Sequence, residues 1–168
     1  EQIITHPDYG FGDSNPSDVG ALILAEPVTD IEPATLPELG LLDQLKKELI
    51  LREGGPEGAK FVVVGYGGTL EWPPPVITYY DQRQMAVSEY IALTKVLLHM
   101  SQNRLKGDSG TCFGDSGGPA FWVDPDGNEI LVGITSTGDA QCVATGFDYR
   151  VDIPDTLDFI DEVIGSLE

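Results

Sequence analysis

Four glycines, Gly110, Gly114, Gly117 and Gly118, crowd around one serine, Ser116, in the stretch GTCFGDSGGP. Glycine permits backbone angles closed to other residues, so such a stretch turns sharply and brings its main chain close to whatever lies opposite. A turn of this kind leaves the amide hydrogens of Gly114 and Ser116 free to point at one spot, as an oxyanion hole requires. Two readings stand at this point. One is a glycine-rich hairpin loop with an incidental serine; the other is a nucleophile presented on a tight turn.

The string CFGDSGGP resembles the nucleophile loop of the trypsin/chymotrypsin-like serine proteases. The longer run from LHMSQN to GTCFGDSGGP is similar to secreted bacterial and fungal members of that family. The resemblance implies that Ser116 is the nucleophile and that the Gly114 and Ser116 amides form the oxyanion hole. It implies that Asp115 receives the N-terminal ammonium freed when a precursor is cut. The segment HPDY, a polar loop and then DVGALIL is similar to the region where the triad aspartate opens the last strand of the first barrel, which makes Asp18 that residue. Read alone, Asp18 merely caps the turn before a strand. The resemblance also pairs Cys112 with Cys142, a closure contributing roughly 3–4 kcal/mol on the chain-entropy account.

The same likeness implies a substrate pocket. Gly110 takes the floor position, with Thr111, Gly138 and Gly146 around it, and the backbone of Ser136, Thr137 and Gly138 pairs with substrate as an added strand. With no acid at Gly110, the implied substrate side chain is uncharged, apolar or aromatic, unless Asp139 or Asp148 points inward.

The implied fold is all-β, a trypsin-like double β-barrel. Two six-stranded barrels need more than the 168 residues present. The expectation is therefore a complete second barrel and a first barrel only partly present, with a connecting helix and a C-terminal helix. Residues 1–30 hold the end of the first barrel, 31–60 the connection, and 61–168 the second barrel with the C-terminal helix. Along the chain, Ile3 and Ile4 suggest a short strand, and residues 18–24 run into a buried one. Apolar residues at 41, 42, 45, 49 and 50 give helical spacing over Leu39–Leu51, for a helix laid on the surface between the barrels. Phe61 to Val64 reads as a strong strand, residues 72–75 as a stiff proline loop, and 83–100 as a mixture of strand and helix signals. Ala120–Val123 and Ile130–Thr135 form a hairpin about Pro125–Asn128. A second helix spans Asp155–Ile164, with Asp155 as its N-cap.

A serine hydroxyl is a poor nucleophile until an imidazole takes its proton. The chain has two histidines. His6 lacks the family's histidine context and reads as structural. His99 lies between Asp18 and Ser116, an order that belongs to the unrelated subtilisin-like enzymes. The implied base thus lies on a missing N-terminal segment or a partner chain, and the isolated chain is expected to have little activity. The parent protein is expected to be a serine endopeptidase acting on polypeptides, without metal or other cofactor. The alternative is a noncatalytic homologue acting as a binding or regulatory module. With 28 acidic against 9 basic residues, a net charge of −19, the chain is not drawn to nucleic acid or to anionic membranes. A disulfide implies an oxidising, extracellular setting, and no apolar run reaches the ~18 residues of a membrane span.

Overall fold

The computed structural model describes residues 2–10, 14–53, 59–71, 73 and 75–167. Trp72 and Pro74 of the proline loop, Asp13, and residues 54–58 of the loop after the first helix lie outside them. In chain order the elements are β1 (Gln2–Thr5), β2 (Gly20–Ile23), α1 (Leu41–Lys47), β3 (Lys60–Gly65), β4 (Thr69–Glu71), β5 (Val76–Thr78), β6 (Gln84–Leu93), β7 (Leu97–Ser101), β8 (Pro119–Val123), β9 (Glu129–Gly138), β10 (Thr145–Arg150) and α2 (Pro154–Gly165).

Six antiparallel strands close into a barrel in the order β10-β7-β6-β3-β8-β9. Alternation along each strand explains the closure, because every second side chain faces inward. Phe61 and Val63 of β3, Tyr90 of β6, Leu98 and Met100 of β7, and Ala120 and Trp122 of β8 fill one interior cluster. The stretch 83–100, ambiguous in sequence, is a hairpin of β6 and β7, its inward Tyr90, Leu98 and Met100 all buried. Three register shifts interrupt the ladders. The one between β9 and β10 pairs Phe147 with Thr137 and Asp148 with Thr135, so Ser136 is skipped. A bulge of this kind re-aims a side chain.

α1 is shorter than the expected Leu39–Leu51 helix and sits deeper. Leu49 takes a left-handed conformation, φ 62°. The amides of Leu49 and Ile50 turn back to the carbonyls of Lys46 and Leu45, the hydrogen-bond pattern of a Schellman cap. No glycine marks this stop, which is why the apolar spacing continues past it. The reversal returns Leu51 to the interior beside Leu42 and Leu45, all three buried in the barrel cluster.

β1 and β2 form a separate two-stranded sheet. Ile4, Ala21 and Ile23 pack with Val19 against Tyr149, Phe159 and Val163, joining this sheet and α2 to the outside of the barrel. The opposite face is bare: the cross-strand pair Ile3 and Leu22 is 76% and 63% exposed. β2 is therefore not the buried strand expected, because a ribbon of two strands has only one face covered. α2 also begins differently. Ile153 is its N-cap and Pro154 its first residue, which suits a position needing no amide donor. Asp155 lies in the first turn, where its carboxylate sits 2.6 Å from the Tyr149 hydroxyl instead of capping. No helix among the described residues is long and apolar enough to cross a membrane.

One buried ion pair joins these parts. Arg150 (1% exposed) donates to both oxygens of Asp152 at 2.9 and 2.8 Å, to Asp43 at 2.6 Å and to the Thr94 carbonyl at 2.8 Å. Asp152 also accepts from the Leu42 amide at 2.8 Å, capping α1 from a distance. Asp152→Ala would leave a buried guanidinium with the exposed Asp43 as its one remaining counter-charge among the described residues, and a helix end unsatisfied. We expect it to cost about 3–5 kcal/mol, read from the denaturant midpoint, with Asp43→Ala costing clearly less because Asp43 is exposed.

Candidate active site

The turn around Ser116 is held from below by Asp115. The Asp115 carboxylate accepts from the Gly67 amide at 2.7 Å and from the Cys112 amide at 2.9 Å. It occupies the space that side chains at 65 and 67 would need: a β-carbon on Gly65 would fall 1.9 Å from its Oδ1, and one on Gly67 2.4 Å from its Oδ2. The glycines closing β3 are thus a matching half of the serine turn. Gly114 adopts φ 99°, a left-handed angle that favours glycine. Gly117 donates to the Thr135 carbonyl and Thr135 to that of Gly118, both at 2.9 Å, tying the turn to β9. Ser116 is left exposed at the crest. Among the described residues, no backbone or side-chain group accepts from the Gly114 or Ser116 amide.

Beside Ser116 opens a cavity of about 160 Å³. The structure brings Thr111, Ser136, Thr137 and Gly138 together on its wall with Ser116, and adds Thr135 and Phe113. Cys112 and Cys142 are joined in a disulfide that forms part of the same wall. Gly110 and Gly146 do not reach this cavity. Gln102, 2% exposed, stands against both of them, and β-carbons there would lie 2.5 and 2.6 Å from its side chain. Its Nε2 lies 3.4 Å from the Thr111 hydroxyl. The sequence assigns no role to Gln102 or Thr135, although Gln102 lies within the LHMSQN run. A second cavity, about 200 Å³, lies on the other side of Thr111, Cys112 and Cys142 and contains Asp115.

Asp18 reaches the site through the skipped residue of β9: the Ser136 hydroxyl donates to Asp18 Oδ2 at 2.5 Å. The histidines are elsewhere. His6 is buried, accepts from the Asp8 amide at Nδ1, presents Nε2 to Asp155 at 3.8 Å and packs on Phe159. His99 stacks on Phe147, centroids 4.2 Å apart, and its Nε2 meets the Thr145 hydroxyl. Burial lowers its pKa. Neither imidazole bonds to Asp18 or Ser116 among the described residues. Those residues also gather no group of three or more His, Cys, Asp or Glu suited to a metal.

The two acids near the cavity differ sharply. Asp139 accepts from four backbone amides, those of Gln141, Val143, Ala144 and Thr145, and so organises the loop that carries Cys142. Burial alone would raise its pKa, but these bonds outweigh it and hold the carboxyl below its usual range. Asp148 is fully buried, and neither of its oxygens has a hydrogen-bond partner. Burial pushes it up to about 7.

Compared with protein-family models, residues 1–160 match the one described as Trypsin. No curated protein matches the chain.

The state of Asp148 gives a pH dependence with a definite sign. Between its ordinary 3.8 and about 7 the folded chain keeps a proton that the unfolded chain has released. Stability is therefore highest below that window and falls as pH rises through it, by at most roughly 1.4 kcal/mol per unit. We expect Asp148→Asn to lack this component. Denaturant midpoints at about pH 4 and about pH 8 should draw apart more in the wild-type chain than in the variant.

Proposed function

The chain belongs to the trypsin family, and from that premise we propose that its parent protein is a secreted serine endopeptidase in which Ser116 forms the acyl-enzyme. The observation that carries the reading is the 2.5 Å bond from Ser136 to Asp18. It links an acid on the first half of the chain to the strand whose next residues line the cavity at Ser116. Ser116 Oγ attacks the substrate carbonyl, and the Gly114 and Ser116 amides stabilise the oxyanion. The Thr137–Gly138 backbone pairs with the substrate as an added strand. Asp18 holds the imidazole that takes the serine proton and later returns it to the leaving amine.

That imidazole is contributed by a segment or partner chain outside this sequence, since His6 and His99 are engaged with Asp155 and Thr145. The bare Ile3 and Leu22 face of the β1–β2 ribbon supports this, as an apolar face where further first-barrel strands would pack. The cavity containing Asp115 supports a role for that residue in receiving an N-terminal ammonium. The disulfide supports an extracellular setting. That neither histidine bonds to Ser116 or Asp18 among the described residues is also what a noncatalytic binding homologue would show, and one experiment separates the two.

The full-length protein treated with a fluorophosphonate should carry one adduct, on Ser116, and Ser116→Ala should abolish it. The chain of 168 residues alone, without the base, should label about 10⁶-fold more slowly. Absence of labelling in the folded full-length protein would establish the noncatalytic alternative.

A further inference from the structure

Ser17, the residue just before Asp18, is buried and takes a left-handed conformation, φ 44°. A residue with a β-carbon is disfavoured there by about 5- to 30-fold in population. Such an angle persists only where its surroundings hold it.

The groups that hold it form one connected chain. The Ser17 amide donates to Asn15 Oδ1 at 3.2 Å, and the Ser17 carbonyl accepts from the Val19 amide at 2.9 Å. The same Asn15 oxygen lies 2.7 Å from the Tyr149 hydroxyl, and that hydroxyl lies 2.6 Å from Asp155 Oδ2. Tyr149 is fully buried on β10, and Asp155 stands in the first turn of α2. Burial alone would raise the pKa of Asp155, but its hydrogen bonds, that of Tyr149 first, outweigh this and hold the carboxyl below its usual range. Asp155 is therefore an ionised acceptor near neutrality. His6 joins from the other side: its amide donates to the Val19 carbonyl at 3.1 Å, and its Nε2 faces Asp155 at 3.8 Å.

Residues 15–18 are thus pinned to the barrel at two points. Asn15 meets Tyr149 on β10, and Asp18 meets Ser136 on β9. The anchors sit on neighbouring strands, since Tyr149 pairs with Ile134, two residues before Ser136. The left-handed turn at Ser17 lies between the pins and sets the direction in which Asp18 leaves. The apolar packing of the β1–β2 ribbon on Tyr149 and α2 is non-directional, so direction has to come from these polar contacts.

We propose that Tyr149 is a positioning residue for Asp18: anchored by Asp155, its hydroxyl holds the Asn15–Ser17 turn in the left-handed form that aims the Asp18 carboxylate at Ser136. Its effect on rate rests on the endopeptidase reading; the hold on the turn does not. Tyr149 touches no substrate in this scheme and acts through Asp18 alone.

The full-length protein carries the test. Tyr149→Phe removes only the hydroxyl, and Asn15→Ala cuts the same hold at a half-buried loop residue, leaving the barrel untouched. Each should lower kcat on a peptide substrate about 5- to 30-fold, with KM changed less than about twofold. Adding Ser17→Gly, which takes the left-handed angle without strain, should recover most of the loss in either variant. Hydrogen exchange at the Ser17 and Val19 amides should quicken at least about fivefold in both, with folding checked by thermal denaturation. A kcat that stays within about twofold of wild type, a loss confined to KM, or a loss that Ser17→Gly fails to recover would each overturn the proposal. Fluorophosphonate labelling of the wild type, with exchange and kcat unchanged in the variants, sinks this inference and leaves the endopeptidase standing. Quickened exchange in a protein that neither labels nor hydrolyses does the reverse.

Discussion

The Arg150–Asp152 pair is the fixed point of the molecule. A guanidinium taken fully out of water is tolerable only when nearly every donor is matched, and its partners come from three places in the chain. They are the first turn of α1, the β6–β7 turn and the segment leading from β10 to α2. The interaction contributes less net stability than its bond count implies, since desolvation offsets much of the attraction. Its effect is geometric: it ties the end of β10 to α1, to the β6–β7 turn and to the segment leading into α2.

From that end of the barrel to the other, the construction changes from tight satisfaction to exposed or unsatisfied polar groups. The serine turn is braced by Asp115 against the glycines of β3 and by two backbone bonds to β9. Its reactive atoms face solvent. The irregularity in the β9–β10 ladder matters as much as the regular pairs. By skipping Ser136 it turns one hydroxyl toward Asp18, while Thr135 and Thr137 on either side keep their pairing to β10.

Much of this was legible in the chain, for physical reasons that differ by element. The barrel strands show because inward residues alternate, as in Phe61 and Val63, and the nucleophile turn shows because few residues other than glycine tolerate its angles. The stop of α1 at Leu49 was not legible: its cause is the return of Leu51 to the core, a tertiary demand placed on a residue ill suited to a left-handed angle. Asp155 resembles an N-cap in sequence, yet the helix starts at proline and its carboxylate faces Tyr149 instead. Gln102 lies in the LHMSQN run, but nothing in that run pointed to its position between two glycines. Its importance lies in the room left by Gly110 and Gly146, which come from distant segments and meet only in three dimensions.

The two cavities share a partition made of Thr111, Cys112 and Cys142. A partition so thin has no independent position for each side. A group that displaced the partition from the Asp115 side would change the shape of the cavity beside Ser116, and by thermodynamic reciprocity an occupant of that cavity would then alter affinity on the Asp115 side by the same factor. The Cys112–Cys142 disulfide ties the two segments of that partition together, so in such a coupling they would move as one piece.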